Sequence, residues 1–196
     1  MITQVNKYYL PLKNDTISLL PLQAEHIEEM RELSSGSDIW KWYTSDLSDP
    51  NDLSTWMHGR LKESRQGDKM SYAVLLNSSG SVIGSTSFGH IDWDEKCVEV
   101  GWTWLGQDYI GTGINKQMKF LMLRHAFEIM DIERLELRTD ELNVRSRRAM
   151  EKIGAQYDGI LRNHRSTRGG RRRNTVIYSI IRSEWKELSQ TIFKDL

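Results

Sequence analysis

The sequence predicts a single α+β domain built on a mixed sheet, and three observations carry that prediction. Its 196 residues, 38% of them hydrophobic, contain no repeat, low-complexity tract or Pro/Gly-rich linker at which a second domain would begin. Two strand-like segments meet at Asn77-Ser-Ser-Gly80, the composition of a turn. The second half reads strand, helix, strand, helix, strand, an order that requires at least partly parallel pairing covered by helices.

Taken in order, Thr16–Leu22 is a first strand and Gln23–Leu33 a helix, with Ile27, Met30 and Leu33 at helical spacing. Leu47–Asn51 reads as a loop. Asp52–Arg65 is a second helix whose Leu53, Trp56, Met57 and Leu61 share a face. Ser71–Leu76 and Val82–His90 are the strands joined at Asn77–Gly80. In Cys97–Leu105, Val98, Val100, Trp102 and Trp104 alternate with Glu99, Gly101 and Thr103, so one apolar face is expected, with Glu99 on the other. Gly113–Met130 is the most helical segment, with Ile114, Met118, Leu121, Met122, His125, Ala126 and Ile129 in one stripe. Glu133–Thr139 returns as a strand, and Asn143–Ile153 is a helix stopped by Gly154. Gln156–Arg162 and Thr175–Ile181 form a last strand pair across an Arg/Gly loop, and a short helix starts at Ser183.

Composition narrows the function. Met1–Asn14 has no apolar run of signal-peptide length, and no stretch approaches about 18 apolar residues, so a cytoplasmic protein without a membrane span is expected. Cys97 is the sole cysteine, which rules out an intrachain disulfide and a Cys-based zinc cluster. The five histidines are scattered, and no metal site is expected. The chain balances 27 basic against 27 acidic residues, but Arg134–Arg173 holds twelve basic and five acidic residues, a net of +7. A neutral protein with a basic C-terminal third suits a polyanionic ligand of limited size, whereas a protein that coats nucleic acid is more often basic throughout.

The stretch Trp104-Leu-Gly-Gln-Asp-Tyr-Ile-Gly-Thr-Gly-Ile-Asn115 joins a strand end to the longest helix through Gly111 and Gly113. Backbone N–H groups in such a turn point outward at the positive end of the helix dipole, and glycine lets an anion approach them closely. A phosphate or pyrophosphate site and a plain tight turn both satisfy this pattern. A Rossmann fingerprint fits poorly, because Lys116 occupies the place of its third glycine and the turn comes past mid-chain.

Downstream, Leu135-Glu-Leu-Arg-Thr-Asp-Glu-Leu-Asn143, the Asn-x-x-Ser of Asn143–Ser146, Lys152-Ile-Gly-Ala155 and Asp158-Gly159 complete a pattern. With Tyr109–Asn115 it resembles the GNAT family of acetyl-CoA-dependent N-acetyltransferases, in particular the branch of the ribosomal-protein N-terminal acetyltransferases RimJ and RimL. The resemblance spans Thr16 to Trp185 and implies one GNAT-like domain over the whole chain, core about 16–185, with a mostly antiparallel sheet splayed at the cofactor site.

By that resemblance Ile110, Gly111, Thr112, Gly113 and Ile114 hold the pyrophosphate of acetyl-CoA, and Asn115 and Ser146 belong to the cofactor-binding set as well. Trp104 and Leu105 pair with its pantetheine arm, and Asn143 hydrogen-bonds the same arm. The acceptor is an amine, either a protein N-terminus or a small molecule, and a homodimer is a family-level expectation. Two positions depart from the wider family: Asp108 replaces a Gln or Arg, and Met150 stands where many members carry a tyrosine acid.

Acyl transfer to an amine protonated at neutral pH needs a base, a donor for the thioester oxygen and an acid for the thiolate. Glu99 is the first candidate base, because the resembling family has a glutamate there, and Asp158 the second. A backbone N–H near Thr103–Leu105 serves the oxygen, and Ser146 is the candidate acid. Trp40, Trp42, Tyr43, Trp56 and Trp93 are candidate walls of the acceptor pocket. The alternative is a non-catalytic RNA- or ribosome-binding module using Arg162, Arg165, Arg168, Arg171, Arg172 and Arg173. Because no aromatics interleave with these arginines, a solvated hairpin loop is expected instead.

Overall fold

The computed structural model describes residues 4–35, 38–167 and 170–196. Its strands are β1 (Leu12–Lys13), β2 (Ile17–Pro21), β3 (Lys69–Leu76), β4 (Val82–Asp92), β5 (Cys97–Leu105), β6 (Arg134–Asp140), β7 (Gln156–Ser166) and β8 (Arg172–Ile181). They form one sheet in the order β1-β2-β3-β4-β5-β6-β8-β7, antiparallel throughout except for the parallel pair β5–β6. The helices are α1 (Gln4–Tyr8), α2 (Ile27–Ser34), α3 (Pro50–Gln66), α4 (Ile114–Arg124), α5 (Val144–Glu151) and α6 (Arg182–Gln190). This is the mixed α+β architecture expected from the element order.

Several boundaries differ for local reasons. The second predicted helix begins at Pro50, inside the expected loop, because Asp49 accepts from the N–H groups of Asn51 (2.7 Å) and Asp52 (3.2 Å) and proline suits the first helical position. α1 and β1 were not apparent in a segment with little periodicity. The α4 hydrogen-bond ladder widens into a π turn at His125–Ile129 before the chain leaves for β6.

The sheet has two unlike faces. One buries Val98, Val100, Leu135, Leu137, Val176, Tyr178 and Ile180 with the apolar side of α4 and Trp185 of α6. On the opposite face, α2 and α3 cover only the first half of the sheet, where Met30, Leu53 and Met57 pack with Ala73, Val82 and Trp104. Over β5, β6 and β8 that face carries Glu99, Glu136, Arg138, Asp140 and Ser179, in register across the strands.

The expected single stripe in β5 is broken. Ser85 lies opposite Trp104 and Ser87 opposite Gly101, so Trp102 and Thr103 together face Thr86, and Trp102 adopts φ +52°. This bulge switches the side-chain alternation. Val98 and Val100 enter one core, Trp104 enters the other, and Trp102 meets His90 and Lys69.

Candidate active site

β5 and β6 pair at only three positions: Cys97 with Arg134, Val98 with Leu135, and Glu99 with Glu136. Beyond Glu99 the strands part. On the far side of β5, Ser85 lies opposite Trp104 and the Gly106 N–H donates to Ile83 O at 3.0 Å. Strand alternation therefore turns the N–H and C=O of Leu105 away from β4 and into the gap. The neighbouring Thr103 carbonyl accepts from the Tyr43 hydroxyl, whose pKa burial raises against the opposing charge of Arg145.

The gap leads to the glycine turn. Gly111 and Gly113 have φ of +83° and +92°, values that favour glycine, and no atom lies within 4 Å of where a Cβ would stand at either. Among the described residues, nothing accepts from the N–H groups of Gly111, Thr112, Gly113, Ile114 or Asn115, whereas those of Lys116 and Gln117 return to Gly113 O. Thr112 Oγ1 donates to Tyr109 O at 2.8 Å and braces the turn. Ile110 packs against one core and Ile114 enters the other, so their side chains anchor the loop and leave the backbone exposed. Open donors at a helix N-terminus fit a diphosphate. Asp108 is exposed.

Across the gap, Asn143 Oδ1 accepts from the Ser146 N–H at 3.1 Å and caps α5, which leaves Asn143 Nδ2 without a partner among the described residues. The Ser146 hydroxyl, half-buried, caps nothing and has no partner among them. Met150 is a core residue.

Glu99 is buried, and its Oε2 meets His90 Nδ1 at 2.8 Å and Arg138 Nε at 3.3 Å. Arg138 also binds Glu136 (2.7 Å), and Arg134 joins Glu136 (3.1 Å) to Asp158 (2.7 Å). The two predicted carboxylates are thus ends of one ion-pair chain, but β6 and β8 separate their strands. Asp158, also bonded to Ser179 Oγ at 3.1 Å, sits away from the gap.

His90 was passed over because the histidines look scattered in sequence. It adopts φ +47° and places its half-exposed ring edge-on to Trp102, 5.5 Å between centroids. Hairpin spacing between β4 and β5 is the signal that brings His90 beside Glu99. Lys119 of α4 was also missed: its buried amine donates to Thr103 Oγ1 at 3.1 Å.

Of the aromatic set, Tyr43 reaches the gap. Trp40 is core, 5.3 Å from Trp104, and Trp93 stacks on Tyr8 at 5.3 Å. Trp42 sits beneath Lys41, and Trp56 lines a cavity of about 340 Å³ with Asp52, Arg60 and Glu63. The arginine loop is shorter than expected because β7 and β8 extend into it. Arg171 pairs with buried Asp140, Arg172 bonds Asn163 (3.0 Å) and Ser166 (3.3 Å), and Arg173 bonds Thr175 (3.0 Å). Arg168 lies outside the described residues.

Comparison with known proteins bears on this geometry. The family model described as "Acetyltransferase (GNAT) domain" matches residues 16–156. The Bacillus subtilis protein named "Putative ribosomal N-acetyltransferase YdaF" is 24% identical over 177 residues, 88% of this chain and 95% of that protein. A GCN5-related N-acetyltransferase from Brucella melitensis superposes with a TM-score of 0.85 at 27% identity, covering 94% of this chain and 84% of that one. Mycobacterium smegmatis RimJ, solved with CoA-disulfide, shares the fold with a TM-score of 0.75 at 18% identity, over 89% of this chain and 87% of its own.

Proposed function

The chain belongs to the GNAT acetyltransferase family and is an acetyl-CoA-dependent N-acetyltransferase; from that premise we propose that it falls in the RimJ/RimL-like branch and that an amine acceptor attacks the thioester directly in a ternary complex, in the gap between β5 and β6. The cosubstrate supplies an activated acetyl group as a thioester. The chain's own groups do the rest. The N–H groups of Gly111–Asn115 hold the diphosphate, and the Leu105 edge and Asn143 Nδ2 align the pantetheine amides.

The acceptor approaches over the charged sheet face, where Glu99, steered by His90 and Arg138, takes its proton directly or through the imidazole. Asp158 ranks behind Glu99 because Arg134 and Ser179 hold it two strands away. Ser146, with an unengaged hydroxyl, protonates the thiolate. The acceptor is a protein N-terminal α-amine or a small-molecule amine, and the setting is cytoplasmic. The RNA-module alternative has no support, since Arg171, Arg172 and Arg173 are engaged within the hairpin and its neighbours.

The observation that carries this reading is the run of unpartnered N–H groups at Gly111–Asn115 beside the open β5 edge. Calorimetry with acetyl-CoA, followed by thiol release with a panel of peptide and small-molecule amines, tests it. Micromolar binding and amine-dependent release are expected; absence of binding would overturn it.

A further inference from the structure

Lys119 is 8% exposed and has no carboxylate within ion-pair distance among the described residues. Its hydrogen bond goes to Thr103 Oγ1, which also meets Thr86 Oγ1 at 2.7 Å. Burying an ammonium without a counter-charge costs stability, and its neighbours Met118 and Phe120 are ordinary core residues. The other cations of this helix avoid that cost: Lys116 and Arg124 rest on the rings of Phe193 and Phe120.

Position supplies a reason for Lys119. Thr103 lies in the bulge, beside the β5 edge offered to pantetheine, while Glu99 on the same strand lies at the acceptor side and acts electrostatically on Lys119. The amine therefore meets β5 at Thr103, next to the edge along which the thioester would lie. Burial draws its pKa down from 10.5 to about 7, against the pull of Glu99, so donor and charged donor forms are both present near neutrality.

Resting on the acetyl-transfer reading above, we infer that Lys119 is a catalytic residue whose amine donates to the thioester oxygen of acetyl-CoA. As the acceptor nitrogen bonds to the carbonyl carbon, the C=O π pair moves to oxygen, where Lys119 meets it. When that pair returns, the C–S bond breaks and its electrons leave on sulfur. The surplus proton of the acceptor passes to Glu99, directly or through His90, and Ser146 protonates the sulfur. Lys119 thereby joins the backbone donor near Thr103–Leu105.

Calorimetry with acetyl-CoA and S-ethyl-CoA, a thioether lacking the oxygen, separates this role from a structural one. The wild-type chain should prefer acetyl-CoA by about tenfold, a charge-assisted hydrogen bond's worth. Lys119→Met should reduce the preference below about twofold, and Lys119→Gln, a neutral donor, should keep part of it. With any accepted amine, Lys119→Met should lower kcat by about 10²–10³-fold and leave KM for acetyl-CoA within about threefold. Equal wild-type affinity for the two ligands, or an undiminished preference in either variant, overturns the inference. If neither ligand binds the wild-type chain, it is the acetyl-transfer reading that falls. Should Lys119→Met not fold, the wild-type pair and Lys119→Gln decide.

Discussion

Replacing Gly111 by Asp and, separately, by Asn places two side chains of the same size and opposite consequence at one point. No protein atom lies within 4 Å of the added Cβ, so neither meets a clash, and both inherit the φ of +83°. That left-handed backbone costs about 1–2 kcal/mol for a residue with a Cβ. In a chain of this size each kcal/mol lowers the melting point by about 2–4 °C, and the two variants should melt within about 2 °C of each other. They part on the cofactor. A carboxylate about 4 Å from one phosphate charge, at the effective dielectric of a protein surface, loses about 4 kcal/mol, close to a thousandfold in affinity. Asn carries no such charge. Calorimetry with CoA at low salt should therefore show Asp weaker than Asn by two to three orders of magnitude, roughly, and the ratio should shrink near 1 M salt, where screening acts over about 3 Å. Affinities within threefold of each other at low salt would refute the placement of the diphosphate at this turn.

Other outcomes follow from the same geometry. Glu99→Gln should lower the rate at neutral pH with little change in CoA affinity, and an unchanged pH–rate profile would return attention to Asp158. Lys119→Met should raise the melting point most at low pH. The folded-state pKa of about 7 lies below the unfolded 10.5, so the burial cost is complete below about pH 7 and fades as pH rises toward 10.5. That difference bounds the gain at about 5 kcal/mol, and 1–4 kcal/mol is expected. Glu99 is the charge acting on the amine, so thermal melts of both proteins near pH 6 and pH 9 form the test, and a constant margin contradicts it. Gly84→Ala would place its Cβ 2.2 Å from Trp104 O, so it should part β4 from β5 and cost about 2 kcal/mol or more in denaturant titration. A cost below about 0.5 kcal/mol would mean that the ladder beside the gap yields easily.

Much of the fold was legible because its signals are local. Periodicity located β2, β3, β5, α4 and α5 within a few residues, and Gly111 with Gly113 marked a turn that the structure shows with both glycines at positive φ. What escaped depends on contacts between strands. The bulge at Trp102 is invisible to an alternation rule, because Val98, Val100, Trp102 and Trp104 keep perfect period-2 spacing while the backbone breaks it. The same register brings His90 to Glu99, and a residue-by-residue survey of histidines has no means of seeing it. Lys119 reads as an ordinary polar interruption of a helix until its burial and its hydrogen bond to Thr103 are known. The arginine loop looked solvated by composition, but buried Asp140 recruits Arg171 from it.

Among the described residues β5 and β6 pair at three positions, with Lys96 O accepting from the N–H groups of Glu133 and Arg134 at the closed end of this short seam. A short seam is a hinge as well as a join, and it leaves the facing strands free to breathe. A guest whose arm carries two amides would act as a splint laid across that hinge. Bound as proposed, it would change the stiffness of the enzyme as well as its contents, and an acceptor arriving afterwards would meet a more rigid host.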